Sequence, residues 1–150
     1  MTIIINGQHH KVSAAPFTPL VEVLRAAGLK GTKLGCASGE CGACTVIVDD
    51  KAVCACLVPV GRVEDCNVET IEGVGTAATP HRLQRTLHEM GAFQCGFCTP
   101  GIVMSLLALL RSTPAPDEAQ IRVALQGNVC RCSGYKLLIE AVARYVEESP

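Results

Sequence analysis

Three short cysteine-bearing stretches constrain this chain more than anything else in it: Cys36-x4-Cys41-x2-Cys44, Cys95-x2-Cys98 and Cys130-x-Cys132, each set among glycines. Whatever the fold, it must leave these loops free to curl around something that thiols hold. Ten of the 150 residues are cysteine. The chain opens Met1-Thr2-Ile3-Ile4-Ile5-Asn6-Gly7, which reads as a strand and turn and leaves no room for a signal peptide or twin-arginine leader. A cytoplasmic, reducing setting is therefore expected, where disulfides are disfavoured and clustered cysteines read as metal-binding or redox groups.

The rest of the composition narrows the classes. A net charge of −1 gives no basic patch for nucleic acid, and no apolar run is long enough to span a membrane. Aromatic residues are only 3% and Trp is absent, so the interior must be filled by aliphatic side chains.

Two periods divide the chain. Residues 2–72 read as a small mixed unit. Thr2 to Ile5 turns at Asn6-Gly7 into a strand near His9 to Ser13. Thr18 as N-cap and Pro19 at the first helical position open a short helix with Leu20, Val23 and Leu24, ending near Gly28. The glycine-rich loop to Cys44 leads into the strand Thr45 to Val48, a turn at Asp49-Asp50, the strand Lys51 to Ala55 and a last strand from Asn67 to Ile71. This suggests a β-grasp-like sheet wrapped on a helix. After a linker over residues 74–81, the period becomes helical. Leu83, Leu87 and Met90 share one face and Gly91 closes that helix. Thr99-Pro100 caps a second with Ile102, Val103, Leu106, Leu107 and Leu110. Thr113-Pro114-Ala115-Pro116 breaks it, and Asp117 caps a third containing Ile121, Val123 and Leu125, with Gly127 as its C′ residue. The fourth carries Leu137, Leu138, Ala141, Val142 and Tyr145. The expected class is α+β: an N-terminal β-grasp domain over 1–73, then a four-helix bundle over 82–150.

The C-x4-C-x2-C spacing is the plant-type arrangement for a [2Fe–2S] cluster. Gly35, Gly39 and Gly42 permit the backbone to curl, and amides within the curl can point at sulfur. By spacing alone the fourth ligand is Cys54 or Cys56, two apart on one strand and facing one side. Cys95, Cys98, Cys130 and Cys132 form the second constellation, two loops at helix ends that an antiparallel bundle brings together. Helix N-termini aimed there would favour its negative charge. Two four-cysteine zinc sites are the rival, which CxC and C-x4-C-x2-C spacings suit less well. Rieske ligation needs histidines inside the motifs, whereas His9, His10, His81 and His88 lie outside and read as surface or capping residues. Cys66, and whichever of Cys54 and Cys56 is not a ligand, read as buried small hydrophobes. A thioredoxin-like role for Cys95 and Cys98 would leave Cys130 and Cys132 without a task.

The strings Gly35 to Val46 (GCASGECGACTV), Gln94 to Gly101 (QCGFCTPG) and Gly127 to Tyr135 (GNVCRCSGY) resemble, in order, the cluster motifs of the molybdenum hydroxylases. This is the family of xanthine dehydrogenase, aldehyde oxidoreductases, carbon monoxide dehydrogenase, 4-hydroxybenzoyl-CoA reductase and N-heterocycle hydroxylases. The likeness runs from Ile3 to about Val146. It implies a plant-ferredoxin-like β-grasp domain followed by a helical [2Fe–2S] domain. In the family about eleven residues precede the fourth ligand of the first cluster, and eleven separate Cys44 from Cys56, so the resemblance selects Cys56 over Cys54.

The same resemblance implies that substrate is hydroxylated at a molybdopterin centre, in the cytosine dinucleotide form, on a large partner subunit. Electrons then pass through the helical-domain cluster and the β-grasp cluster to FAD on a medium subunit, or to another acceptor where FAD is lacking. Gln94 and the stretch at Cys132 are implied to approach the pterin. A dimer of heterotrimers is the implied assembly, and a purine or other N-heterocycle the preferred substrate class. Ser133 stands where Thr is frequent, and either hydroxyl can cap the following helix. A free-standing [2Fe–2S] carrier and a zinc-stabilised interaction module are the alternatives.

Overall fold

The computed structural model describes residues 1–148, so Ser149, Pro150 and the expected boundary at 150 lie outside the described residues. β1 (Thr2–Ile5) and β2 (Gln8–Lys11) pair antiparallel through Asn6 and Gly7, whose φ values are 49° and 78°. Two successive left-handed residues match the twist of a two-residue hairpin, which is why Asn-Gly serves here. β3 (Thr45–Val48) and β4 (Lys51–Cys54) form a second hairpin through Asp49 and Asp50, also at positive φ. β5 (Asn67–Glu69) runs parallel to β1 and antiparallel to β3, giving the order β2-β1-β5-β3-β4. α1 (Leu20–Ala26) buries Leu20, Val21 and Leu24 on this sheet with Ile3, Ile5, Val46 and Val68.

Two expectations shift at the edges of this half. Pro19 is the N-cap of α1 rather than its first residue, because Pro19 is bridged to Pro59 and the Leu20 amide is spent on the Val58 carbonyl at 2.8 Å. The last strand ends at Glu69, not Ile71. The Asn6 side chain accepts from the Thr70 amide at 2.8 Å and turns the chain, and α2 (Ile71–Val74) follows, with Ile71 packed on the helical core. That helix occupies the first position of the expected linker.

α3 (Arg82–Glu89), α4 (Thr99–Ser112), α5 (Glu118–Leu125) and α6 (Lys136–Glu147) pack α3 on α6, α4 on α5 and α5 on α6. His81 caps α3: its Nδ1 accepts from the Leu83 amide at 3.1 Å, while Gln84 Oε1 accepts from the His81 amide at 2.8 Å. Asp117 and Gln120 cap α5 in the same reciprocal way. Gly91, at φ +62°, closes α3 as expected. Gly127 follows the C-cap Gln126 but is not left-handed. Thr99 does not cap α4. It is the helix's first residue after Cys98, and its buried hydroxyl has no hydrogen-bond partner among the described residues.

The two halves share a wall. Val46 of β3 faces the α1 core, while the next residue, Ile47, belongs to the helical core with Leu83, Ile102, Leu106 and Leu138. β3 is thus covered on both faces, by α1 and by α4, and its run Thr45-Val46-Ile47 is buried throughout. α4 is correspondingly apolar around its N-terminal circumference, burying Ile102, Val103, Met104, Leu106 and Leu107.

Candidate metal centres

The loop between α1 and β3 curls because three of its residues are left-handed: Ala37 at φ +58°, Gly39 at +80° and Gly42 at +64°. Gly35 serves differently from the expectation. Its φ is ordinary, but a Cβ there would stand 3.0 Å from the Cys41 sulfur. The curl turns the Ser38 and Cys41 amides toward Cys36 Sγ, each at 3.4 Å. As a free thiol Cys36 is drawn down to about 6 by hydrogen bonds from Ser38 and then Cys41. Such a nest of donors favours thiolate and, equally, a negatively charged ligand group.

Cys44 is buried beside Cys56, with which it hydrogen-bonds, and burial pushes its thiol up to about 12. The sulfurs here stand as an outer pair, Cys36 with Cys41, and an inner group in which Cys44 hydrogen-bonds both Cys56 and Cys54. Cys54 and Cys56 do not share a strand. β4 ends at Cys54, and Cys56 lies in the turn beyond it. Cys54 nevertheless stays close. Its Sγ is 3.7 Å from the Gly39 carbonyl, it reaches Cys44, and burial followed by the neighbouring Cys56 raises its thiol. Both Cys54 and Cys66 are half-buried rather than buried.

The second group forms where the α3–α4 and α5–α6 loops meet. Cys132 Sγ is 3.8 Å from Cys95 Sγ at the surface, and Cys98 hydrogen-bonds Cys130 further in. In this group the sulfurs form an outer and an inner pair. Burial pushes Cys98 up to about 12. Burial acts most strongly against ionisation of Cys130, but hydrogen bonds from the Ser133 hydroxyl and amide, at 3.2 and 3.4 Å, together with those from Cys98 and the Cys132 amide, hold that thiol down to about 7. Ser133 does not cap α6, whose N-cap is Tyr135 in the left-handed region. Tyr135 instead ties the loop together. Its hydroxyl accepts from the Cys130 amide at 2.7 Å and donates to the Asn128 carbonyl at 2.8 Å. Gln94 Nε2 donates to the Cys132 carbonyl at 3.1 Å, on the exposed side of this group.

An outer pair of thiols with further thiols just inside it suits a dinuclear cluster, in which each iron takes two protein sulfurs and shares the bridging sulfides. Among the described residues no three His, Cys, Asp or Glu side chains are gathered as one metal ion would require. None of His9, His10, His81 and His88 joins either group of sulfurs.

The element that sequence reasoning missed joins the two groups. Asn128 is 3% exposed. Its Oδ1 accepts from Ser105 Oγ at 2.7 Å, and its Nδ2 donates to the Gly42 carbonyl at 3.0 Å and to Thr45 Oγ1 at 3.4 Å. Space here is tight: a Cβ on Gly42 would lie 2.0 Å from the Gly127 carbonyl oxygen, and one on Gly101 would lie 2.2 Å from that of Gly42. In the sequence Gly127-Asn128 signals only a turn.

Residues 3–74 match the family model described as a 2Fe-2S iron-sulfur cluster binding domain, and residues 70–143 match that of a [2Fe-2S] binding domain. The chain is similar to the nicotinate dehydrogenase small FeS subunit of Eubacterium barkeri, 41% identical over 96% of this chain and 92% of that one. It is 46% identical to xanthine dehydrogenase of Emericella nidulans over 89% of this chain but 10% of the other. The aldehyde oxidoreductase structure from Desulfovibrio desulfuricans superposes with a TM-score of 0.93 at 44% identity, covering 97% of this chain and 16% of that one. The chain therefore spans only a small part of those two longer proteins, and nearly all of the Eubacterium protein.

Proposed function

Because this chain belongs to the family of small iron–sulfur subunits of the molybdenum hydroxylases, we propose that it carries electrons from a molybdopterin-bearing large subunit to FAD on a medium subunit, or to another acceptor. Cys36, Cys41, Cys44 and Cys56 hold one [2Fe–2S] cluster, and Cys95, Cys98, Cys130 and Cys132 hold the other. When bound, each cluster takes up and gives back one electron. The chain's own residues supply thiolates, amide donors and a fixed separation. Residues 1–73 are the plant-type ferredoxin-like domain, 74–81 the linker and 82–150 the helical domain, a four-helix bundle whose cluster lies nearer the pterin. Gln94 is the pterin contact. Its Nε2 is anchored on the Cys132 carbonyl, and its amide oxygen accepts no hydrogen bond among the described residues. The molybdopterin is the cytosine dinucleotide form, the substrate an N-heterocycle, the assembly a dimer of heterotrimers and the compartment the cytoplasm. No helix among the described residues is long and apolar enough to cross a membrane.

The observation that carries this reading is the gathering of cysteine sulfurs at each of two loops, an outer pair with further sulfurs just inside it. Metal and sulfide analysis of the isolated complex tests it. About four irons and four acid-labile sulfides per chain are expected from two dinuclear sites, with two distinct reduced-cluster signals in electron paramagnetic resonance. Stoichiometric zinc with negligible iron would overturn it.

A further inference from the structure

We propose that the Ser133 hydroxyl sets the reduction potential of the second cluster, acting through the Cys130 sulfur as a positioning residue; the inference rests on Cys130 being an iron ligand, as proposed above. Ser133 donates to Cys130 Sγ twice, from its hydroxyl at 3.2 Å and from its amide at 3.4 Å. The hydroxyl is steered toward the sulfur, because the Tyr135 amide donates to Ser133 Oγ at 3.4 Å and so occupies its acceptor side. Tyr135 is itself fixed between the Cys130 amide and the Asn128 carbonyl. A helix-capping role does not account for this arrangement. α6 begins after Tyr135, and the Lys136 amide goes to the Gly134 carbonyl at 2.9 Å.

Adding one electron to a thiolate-held cluster makes or breaks no protein bond and moves no proton, but it raises the negative charge on the sulfurs. A hydrogen bond to a ligating sulfur therefore favours the reduced state and raises the potential. The two clusters differ in this respect. At the first cluster the Ser38 hydroxyl hydrogen-bonds a ligand too, Cys36, but it has one proton, which it shares with an anionic acceptor, Glu40 at 3.2 Å. At Cys130 no carboxylate competes, and the Ser133 proton is left to the sulfur. The division of electrons between the clusters thus contains a contribution that one side chain controls.

The test is a potentiometric titration of the intact complex, followed by electron paramagnetic resonance, for wild type, Ser133→Ala, Ser133→Thr and Ser38→Ala. All should keep wild-type iron and sulfide. Ser133→Ala should move the second cluster's midpoint potential to a more negative value and leave the first unmoved. Ser133→Thr should restore the wild-type value, and Ser38→Ala should leave the second potential where it was. An unshifted second potential in Ser133→Ala with both clusters intact overturns the proposal, as does a shift in Ser133→Thr equal to that in Ser133→Ala. Should the alanine variant fail to assemble, wild type and Ser133→Thr in D2O remain decisive. The reduced second cluster should show a coupled exchangeable hydroxyl proton in electron–nuclear double resonance, and its absence overturns the proposal. A wild-type complex with no iron–sulfur signal would instead refute the ligand reading beneath it.

Discussion

The amide of Val129 donates to the carbonyl of Cys41 at 2.9 Å. Cys41 is a candidate ligand of the first cluster, and Val129 is the residue before Cys130, a candidate ligand of the second. One hydrogen bond therefore separates the backbones of the two cluster loops. Asn128 reinforces it from one side, and Arg111 holds the far end of the same seam, with two bonds to Glu69 of β5 at 2.8 and 2.7 Å and Asp50 3.7 Å away.

Gly42→Ala should disturb both clusters, although position 42 ligates neither. The left-handed backbone there costs a non-glycine residue roughly 1–3 kcal/mol, and the new methyl would meet the rigid Gly127 carbonyl rather than a side chain able to yield. Thermal unfolding and iron content of the variant check this. Wild-type stability with both clusters loaded would show that the seam is more compliant than its distances imply.

Cys56→Ser should lose the first cluster, and Cys54→Ser should keep both. The motive is the eleven residues between Cys44 and Cys56, the interval that the family resemblance implies, since Cys44 hydrogen-bonds Cys54 as well as Cys56. Iron counts on the two variants decide it, and the reverse pattern would exchange the assignments.

Gln94→Leu should leave both clusters' spectra nearly unchanged, since Gln94 is not a sulfur donor. It removes the bond to the Cys132 carbonyl, worth about 0.5–1.5 kcal/mol, and the free amide oxygen beside it. Reduction of the clusters by substrate should slow, or pterin retention fall, as rapid-mixing spectroscopy and pterin analysis would show. Unaltered reduction and retention would remove Gln94 from the pterin contact.

His81 makes the helical half sensitive to acid. Burial, then the charges of Arg111 and Arg82, lower its pKa, so the folded state resists a proton that the unfolded chain accepts near about 6.5. The stabilisation is full above that unfolded value and is lost as pH falls through the lower folded value, where a proton on Nδ1 ends its bond to the Leu83 amide. The loss should approach that of an N-cap, about 0.5–2 kcal/mol. His81→Asn keeps a capping side chain without the titration. Its unfolding temperature should vary less than wild type below about pH 6.5, and parallel profiles for the two would contradict the assignment.

The cysteine loops were legible because thiols at short spacing among glycines have few other uses, and the helices because their apolar periods and caps are local. His81, Asp117 and Gly91 stand where local chemistry puts them. What was illegible depends on residues distant in sequence. Asn128 becomes a buried clamp only because Gly42 arrives from 86 positions away. The strand expected to reach Ile71 stops early because Asn6, 64 positions back, takes the Thr70 amide. Ser133 has the composition of a cap, yet a left-handed Tyr135 starts the helix too late for it and leaves its hydroxyl to the sulfur.

Strand β3 gives the halves a common fate. Ile47 fills the helical core from the sheet, and burying such a side chain contributes about 1.5–3 kcal/mol, so cutting the chain between the halves would expose apolar surface on both pieces. Heat should meet one cooperative unit, with each redox centre's loop surviving only as long as the other half stays folded against it. Deleting either end should therefore leave a remainder that no longer folds, and an engineer wanting only one of the two cysteine loops would have to rebuild the wall before removing the room behind it.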